Sequence, residues 1–480
     1  MDHLTQHLVE FTLNAPDSAL DDQVVHEVKR RLIDTFGCAI GAFSDPVCVA
    51  VRDMASEYSG PQLATVWGTS CTSSAEMAAF ANGVMLRIHD FNDTYFALDG
   101  AHPSDIIAPI VAAAEAVHAD GRSLTLAVAT GYEIFCRFMQ SLDVASRNYD
   151  QGVYAATAAV LAVGQLMHLS RVQLSHALAL AVVPHMPLRQ TRHGQLSHWK
   201  GCASAEAGRN AIFAANLAAR GVTGPSDIFE GRQGLWSVLG RFDWSAPQQW
   251  PTLSMTGSTY LKALPVCYHA QAAAQAAMQL HPQLYGREIE SVEIVAYEEA
   301  VRMIGSDPTR WAPTSRETAD HSLPFIVATC LAYGDVSAKS FDEEFLHQPE
   351  LLDLMRRIRV VSSQPFTSMY PHAAPARVVV HTRKGDTLSS EVHFPKGHSV
   401  DPMSDAAVEA KFRKLAGVGS TSAACESVLA TLWRVEQCRD LSSTIIPQLA
   451  ELLAQTRGAR QSFEQNDNLR KTPTPALARQ

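Results

Sequence analysis

The spacing of apolar residues predicts helices over most of the first 265 residues. Between Asp22 and Phe43, apolar side chains recur at intervals of three and four residues, the pattern of an amphipathic helix. Segments rich in Ala, Leu, Val and Met predict further helices at 74–89, 104–118, 122–140, 152–168, 172–182 and 202–219. Because their many small side chains let helices approach closely, we expect a compact helical bundle.

The pattern changes after Pro265. Residues 288–296 alternate weakly between apolar and polar types, and two β-rich runs flank Lys384-Gly385-Asp386, a hairpin signal. Helical segments are predicted between these strands and again after Asp401. The predicted strands are 288–296, 375–383 and 387–394, and the predicted helices are 317–334, 341–357, 404–416, 422–436 and 440–456.

Together these patterns predict a mainly α fold, with a large all-helical domain built from both ends of the chain and a smaller α+β domain. The chain has 480 residues, well above the roughly 250–300 at which a single core stops growing. We place the first part of the helical domain at 1–268 and the α+β domain at 269–400. The helical domain returns at 401–460, and 461–480 is predicted to be a loose tail.

Composition narrows the class of protein. Hydrophobic residues make up 46%, charged residues 18%, and the net charge is −10. The chain has no long basic run, which argues against nucleic-acid binding, and no apolar run of about 18 residues, which argues against a membrane span. Nine scattered cysteines without a C-x-x-C pair, and no signal peptide, predict a reduced cytoplasmic protein. The low share of charge favours a homo-oligomer, and we expect a homodimer.

The densest polar segment runs from Asp90 to Asp105, between two apolar helices. It holds carboxylates, an amide, hydroxyls, a phenol and the imidazole of His102, the mixture that proton transfer needs. Pro103 and Ser104 can begin a helix, with Ser104 as N-cap. His102 would then lie beside free backbone N–H groups that attract anions. The structural alternative is that Asp90 and Asp93 only cap helices and His102 fills a loop.

Two further segments bring cations to helix starts or to the domain boundary. The run from Leu188 to Gly201 carries Arg192 and Lys200, and a lysine at the positive end of a helix dipole needs a negative partner, from the protein or from a ligand. The run from Lys262 to Gln271 includes His269 and lies at the boundary where ligand sites often form. A solvated basic loop and an interdomain linker are the plain alternatives.

A fourth segment, from Trp311 to Phe325, reads alone as a loop that runs into a helix. Its Asp320-His321-Ser322-Leu323-Pro324 string carries further polar groups. Helical H-x-x-x-H spacing is absent around all four segments, so we expect no metal and no cofactor.

Taken together, these segments resemble the MmgE/PrpD family, which includes 2-methylcitrate dehydratase, cis-aconitate decarboxylase and an iminodisuccinate epimerase. The resemblance rests on blocks at 90–94 with 102–104, 188–201, 223–231 and 318–324, with Lys396-Gly397-His398 after a strand. It implies a homodimer, no iron–sulfur cluster, and a site between the domains for di- or tricarboxylates. It places the functional positions at Asp90, Thr94, His102, Lys200, Lys262 and His269.

The function predicted from the sequence is dehydration of a β-hydroxy polycarboxylate, such as 2-methylcitrate or citrate, by general acid/base catalysis. Lys200, Lys262 and Arg192 are expected to bind carboxylates, and Asn92, Asp93, Ser104 and His321 to complete the substrate site. Two departures from the family leave alternatives open. Phe325 stands where the dehydratases usually have Tyr, and the histidine that decarboxylases carry before residue 152 is missing. The alternatives are a decarboxylase or epimerase of a related polycarboxylate, or a non-catalytic carboxylate-binding helical dimer.

Overall fold

Helices dominate the chain from its first residues, as their apolar periodicity predicts. The computed structural model describes residues 1–242, 244, 253–417 and 422–455, and it is 58% helical. The helices before residue 260 are α1 (His3–Leu13), α2 (Asp22–Gly41), α3 (Pro46–Ser56), α4 (Ala75–Arg87), α5 (Ile107–Ala116), α6 (Gly121–Ser141), α7 (Gly152–Leu166), α8 (Arg171–Val182), α9 (Trp199–Ala219), α10 (Leu235–Leu239) and α11 (Met255–Ser258). Two short hairpins lie among them, β1 (Leu63–Thr65) with β2 (Thr72–Ser74) and β3 (Tyr95–Phe96) with β4 (Gly100–Ala101).

The stretch from residue 271 to residue 392 combines helices with a four-stranded sheet. Its strands are β5 (Ile289–Ala296), β6 (Ile358–Ser362), β7 (Ala376–Thr382) and β8 (Thr387–Val392), in the order β6-β5-β7-β8. Strands β5 and β6 are parallel, and the other two pairings are antiparallel. Its helices are α12 (Gln271–Leu280), α13 (Glu298–Ala300), α14 (Pro308–Trp311), α15 (Arg316–Ala319), α16 (Leu323–Tyr333), α17 (Glu343–Leu346), α18 (Pro349–Arg356) and α19 (Gln364–Thr367).

Two differences from the predicted elements have local causes. The single helix predicted at 317–334 is broken into α15 and α16, because Ser322 caps the second helix by accepting from the backbone N–H of Phe325 and Pro324 occupies its first turn, where proline is tolerated. Strand β6 follows α18 directly, and its five residues were not separated from that helix by a turn signal. The three strands predicted from alternation are confirmed.

The C-terminal helices return to the N-terminal ones. Helices α20 (Asp405–Ala416) and α21 (Ala423–Leu432) follow the sheet, and a further helix covers 445–455. Helix α20 packs so closely on α2 that a Cβ added to Gly41 would lie 2.7 Å from the Leu415 side chain. The predicted boundaries at residues 268 and 400 stay a prediction, and the predicted tail at 461–480 lies outside the described residues.

Helix α20 also reaches the segment that holds the polar residues. The Lys411 ammonium is ion-paired with Asp34 of α2 at 2.6 Å. It also donates to the backbone carbonyls of Phe91 at 2.8 Å and of Lys262 at 2.9 Å. One buried cation from the C-terminal part therefore fixes two loops that come from distant parts of the sequence.

One bent pair of helices is the feature of the described residues that bears on membrane spanning. Within the described ranges, no single helix combines the length and apolarity needed to cross a membrane. The bent pair α2 with α3 meets the criterion by length and composition alone.

Candidate active site

A left-handed residue in the turn after α4 places a carboxylate beside Arg87, the last residue of that helix. Asp90 has φ +50°, a conformation that Asp tolerates better than most residues because its short side chain can bond locally. Its side chain forms an ion pair with Arg87, three residues earlier, and both side chains are almost fully buried. The pairing of Arg87 with Asp90 is therefore set by residues that are close together in the sequence.

The second cation on Asp90 comes from a distant loop. Lys262 is fully buried, and its Nζ lies 3.0 Å from Asp90 Oδ2 and 2.8 Å from the Asp90 carbonyl oxygen. Burial favours the neutral form and raises the pKa of Asp90, but Lys262 and Arg87 outweigh it and hold that pKa well below its ordinary value. Burial also lowers the pKa of Lys262, against the opposing pull of Asp90. We call Arg87, Asp90, Lys262 and His102 the Asp90 cluster.

His102 supplies the titratable group of this cluster. Its Nδ1 lies 2.7 Å from the Asp93 carbonyl oxygen, an acceptor, so Nδ1 carries the proton and Nε2 keeps a lone pair. Nε2 lies 3.9 Å from Asp90 Oδ1. Burial, then Arg87 and Lys262, lower the pKa of His102 well below its ordinary value. The imidazole is therefore neutral at neutral pH, with one nitrogen able to accept a proton.

Three of the predicted substrate residues form hydrogen bonds within the loop, and their contact with substrate stays a prediction. Asp93 accepts from the backbone N–H of Ser104 at 2.8 Å and from the Tyr132 hydroxyl at 2.9 Å. Asn92 donates to the Ser104 hydroxyl at 2.8 Å. The sequence predicted Ser104 as an N-cap, and this prediction is wrong. A 3₁₀ turn already runs from Pro103 to Ile106, and His102 occupies its N-cap position. Asp93 therefore accepts from one of the backbone N–H groups at this helix start, which were expected to be free to attract an anion.

A second ionic cluster forms at the start of α9. Lys200 is fully buried, and its Nζ lies 2.8 and 3.0 Å from the two carboxylate oxygens of Asp320. The sequence argument left its partner open between the protein and a ligand, and the structure shows a protein carboxylate. His321 Nδ1 lies 2.5 Å from Asp320 Oδ1 and 3.2 Å from Lys200 Nζ. Burial and then Lys200 lower the pKa of His321 to about 4. These three residues form the Asp320 cluster.

The two clusters border one cavity of about 560 Å³, within the range of small-molecule sites. Its lining comes from residues 87–196 and from residues 267–370. Six of the predicted site residues line it, namely Asp90, Thr94, His102, Arg192, His269 and His321. The Thr94 hydroxyl donates to the Ala101 carbonyl at 3.0 Å, so only its lone pairs remain for a ligand.

His269 enters the same cavity beside a buried tyrosine. Its Nδ1 lies 2.5 Å from the Tyr297 hydroxyl, and burial lowers the pKa of His269 to about 4. Burial also raises the pKa of Tyr297 well above its ordinary value, so the phenol keeps its proton and can donate it to Nδ1. In that arrangement His269 presents Nε2–H as a donor.

The predicted carboxylate-binding cations are placed differently from expectation. Lys200 and Lys262 do not line the cavity; each lies behind the aspartate that pairs with it. Arg192 does line it, but its Nε lies 2.7 Å from Asp150 Oδ2 and its guanidinium also donates to the Lys200 carbonyl. Direct contact of these three cations with substrate stays a prediction. Their shown role is to neutralise and position protein groups.

Four further residues of the site were given no role from the sequence, although Arg189 and Asp320 lie in polar segments that the sequence singled out. Arg87 and Asp320 complete the two clusters, and Arg189 and Arg310 line the cavity. The spacing of three residues between Arg87, at the end of α4, and Asp90, in the following turn, was a usable signal. The other three are brought in by tertiary contacts. Among the described residues, no group of three His, Cys, Asp or Glu side chains is arranged to hold a metal ion.

Comparison with known proteins adds the family. The model for the MmgE/PrpD N-terminal domain matches residues 6–245, and that for the MmgE/PrpD C-terminal domain matches residues 264–434. The 2-methylcitrate dehydratase of Cupriavidus necator is 30% identical over 393 residues, which cover 76% of this chain and 80% of that protein. The enzyme of the same name from Salmonella typhimurium is 27% identical over 394 residues, 77% of this chain and 80% of that protein.

A relative with a different activity is also similar. The cis-aconitate decarboxylase of Mus musculus is 23% identical over 450 residues, 88% of each chain. The two matched domains cover the segments that border the cavity, from Arg87 to Tyr370. The chain therefore belongs to the MmgE/PrpD family.

Proposed function

We propose that this protein is a hydro-lyase that removes water from a β-hydroxy polycarboxylate such as 2-methylcitrate or citrate. One observation carries the proposal. His102 is held neutral, with Nε2 unprotonated, at the wall of a cavity beside an aspartate that two buried cations keep ionised. The 2-methylcitrate dehydratases among its relatives support the same reaction.

The first step of this proposal is removal of a proton from carbon next to a carboxylate. His102 Nε2 accepts that proton, and Asp90, whose Oδ1 lies 3.9 Å away, stabilises the imidazolium that forms. Fixed charges in a water-poor cavity act more strongly than in bulk water. A positioned acid or base typically contributes ~10²–10⁴-fold to the rate.

The second step is departure of the hydroxyl group. The electron pair left by the C–H bond forms the double bond as the C–O bond breaks, and the leaving oxygen needs a donor. His269 is our candidate hydrogen-bond donor, since Tyr297 can supply the hydrogen bond to Nδ1 that leaves Nε2–H facing the cavity. The leaving oxygen takes up the proton that His102 removed from carbon, so it departs as water and His102 becomes neutral again. Thr94 then accepts a hydrogen bond from the substrate.

Decarboxylation of a related substrate is the second candidate, because the mouse cis-aconitate decarboxylase aligns with more of the chain than the dehydratases do. Separate incubations with 2-methylcitrate, citrate, isocitrate and cis-aconitate distinguish the two, with alkene absorbance and released CO₂ as readouts. Alkene from a hydroxy acid supports the hydro-lyase. CO₂ from cis-aconitate assigns the decarboxylase, and turnover of none of the four contradicts both. A His102→Asn preparation, purified in parallel, controls for contaminating enzymes.

Assembly and location are part of the same proposal. We propose a homodimer in the cytoplasm, with no resident cofactor. Light scattering of the purified protein measures the assembly directly, and a single species with the mass of one chain would contradict the dimer.

A further inference from the structure

The arginines that border the cavity differ in whether the protein already neutralises them. There are five among the described lining residues, and three are paired with carboxylates. Arg87 pairs with Asp90, Arg192 with Asp150 and Arg302 with Glu299. The remaining two, Arg189 and Arg310, form no ion pair with any carboxylate in the described ranges.

Arg310 is the more unusual of the two because it is buried. Its side chain is only 2% exposed, and its Nη1 donates to the Gly194 carbonyl at 3.2 Å. Its Nε has no hydrogen-bond partner among the described residues. A buried cation with one neutral partner is costly, and a carboxylate removes that cost. Burial accordingly lowers the pKa of Arg310, and the more distant charges of Asp307 and Asp320 offset only part of this effect.

A hydrogen bond links the backbone of Arg310 to the turn beside the Asp320 cluster. The Ser322 hydroxyl donates to the Arg310 carbonyl oxygen, which ties α14 to the turn that carries His321. Arg189, Arg302 and Arg310 all lower the pKa of His193, after the larger effect of burial, so their three guanidinium groups lie within electrostatic reach of one side chain. Because Arg302 is paired with Glu299, Arg189 and Arg310 are the two arginines of this group that form no ion pair with a carboxylate of the described residues.

We propose that Arg310, assisted by Arg189, binds a substrate carboxylate remote from the reacting carbon atoms and makes the site selective for tricarboxylates over dicarboxylates. This inference rests on the proposed function in requiring a polycarboxylate ligand, but not on the reaction being dehydration. It also supplies what Lys200, Lys262 and Arg192 lack, a guanidinium at the cavity wall with no protein carboxylate on it. The planar fork of arginine suits a carboxylate with two parallel hydrogen bonds.

Binding of unreactive acids tests the subsite without turnover. Calorimetry compares tricarballylate, with three carboxylates, and glutarate, with two, on wild type, Arg310→Met, Arg310→Lys and Arg302→Gln. We expect wild type to prefer tricarballylate, and Arg310→Met to weaken tricarballylate roughly 10- to 100-fold with a much smaller effect on glutarate. Arg310→Lys should fall between, because the charge remains and the fork is lost. Arg302→Gln, at the same cavity but paired with Glu299, should stay within about twofold.

The outcomes separate this inference from the reaction. Tricarballylate binding by Arg310→Met within about twofold of wild type overturns it, and so does an equal loss for both acids. If Arg310→Met does not fold, Arg189→Met tests the same subsite from a half-buried position, and unchanged selectivity there overturns it. An Arg310-dependent preference in a protein that turns over no polycarboxylate supports this inference while contradicting the proposed function.

Discussion

The Asp90 and Asp320 clusters contain the same three residue types but use them differently. Each has a fully buried lysine, a buried aspartate and a histidine at the cavity wall. In the Asp320 cluster, His321 Nδ1 lies within bonding distance of both Asp320 and Lys200. In the Asp90 cluster, the aspartate bonds two cations and the nearest His102 nitrogen is 3.9 Å away.

The difference lies in what holds each imidazole. His321 is oriented by a charged side chain, whereas His102 is oriented by the neutral carbonyl of Asp93. Asp90 forms no hydrogen bond with His102 while the imidazole is neutral. Its negative charge can therefore stabilise a positive charge that forms on His102 during the reaction. The comparison teaches that the presence of lysine, aspartate and histidine does not define a role; the atom that each nitrogen contacts does.

The largest expected effect separates the two histidines by activity. His102→Asn should lower kcat/KM for the best polycarboxylate by ~10²–10⁴-fold, the share of a positioned acid or base. His321→Asn should lower it by no more than about tenfold, because the proposed mechanism assigns proton removal to His102 Nε2 and no step to His321. Steady-state kinetics on both variants, with melting curves to establish folding, make the comparison. Equal losses of kcat/KM in the two variants would contradict the assignment of His102 as the base.

The next largest effect separates the two lysines by stability. Lys200→Met leaves Asp320 with only His321 as a close partner among the described residues, and breaking a buried pair typically costs ~3–5 kcal/mol. Lys262→Met leaves Asp90 its ion pair with Arg87, so we expect a clearly smaller loss. Urea unfolding measures both free energies. A larger loss for Lys262→Met would show that the second cation does not substitute for the first.

The pH dependence of stability gives a smaller effect with a defined sign. The folded pKa of His321 is about 4, below the ordinary 6.5, so its contribution is present above pH 6.5 and is lost as the pH falls toward 4. Between pH 7 and pH 5 the loss of stability from this group is about 1–2 kcal/mol. Asp99 and Asp105, whose pKa values burial raises to about 6, act in the opposite direction over pH 6 to 3.8.

Urea unfolding of wild type and His321→Asn at pH 7 and pH 5 isolates this contribution. The variant should lose less stability on acidification than wild type, by about 1–2 kcal/mol, the share assigned to His321. Asp105→Asn, beside Arg87 in the Asp90 cluster, should lose more than wild type. Identical pH slopes in all three proteins would contradict the assignment.

The smallest effect concerns Phe325, four residues after His321. The family comparison made from sequence treats this residue as a missing phenol, but the side chain is fully buried and is not among the cavity-lining residues. Phe325→Tyr should therefore change kcat/KM by less than about twofold. A gain of tenfold or more would show that a phenol at this position reaches the substrate. Phe341→Tyr, at a neighbouring buried ring, is the matched control.

How far the sequence predicted the site depended on the range of the contacts. The helices and the β7–β8 hairpin followed from periodicity and turn residues, which are local. His102 and Asp90 were found because their segment is dense in polar types. Arg310 was missed because its helix has only four residues, and nothing near it in the sequence shows that its guanidinium is buried without a carboxylate. The broken helix at Ser322 is a different case, because the Ser322 cap and Pro324 are local signals that the predicted helix at 317–334 ran through.

The attachment of Lys411 to the carbonyls of Phe91 and Lys262 has a consequence for biosynthesis. A chain emerges from the ribosome with its N-terminus first, and this ammonium is among the last groups of the described fold to be made. The turn that carries Asp90 can form early. Its hydrogen bond from Lys411, through the Phe91 carbonyl, can form only after most of the polypeptide has been made. Nascent or truncated chains that end before α20 should consequently lack a correctly formed cavity wall at the Asp90 cluster.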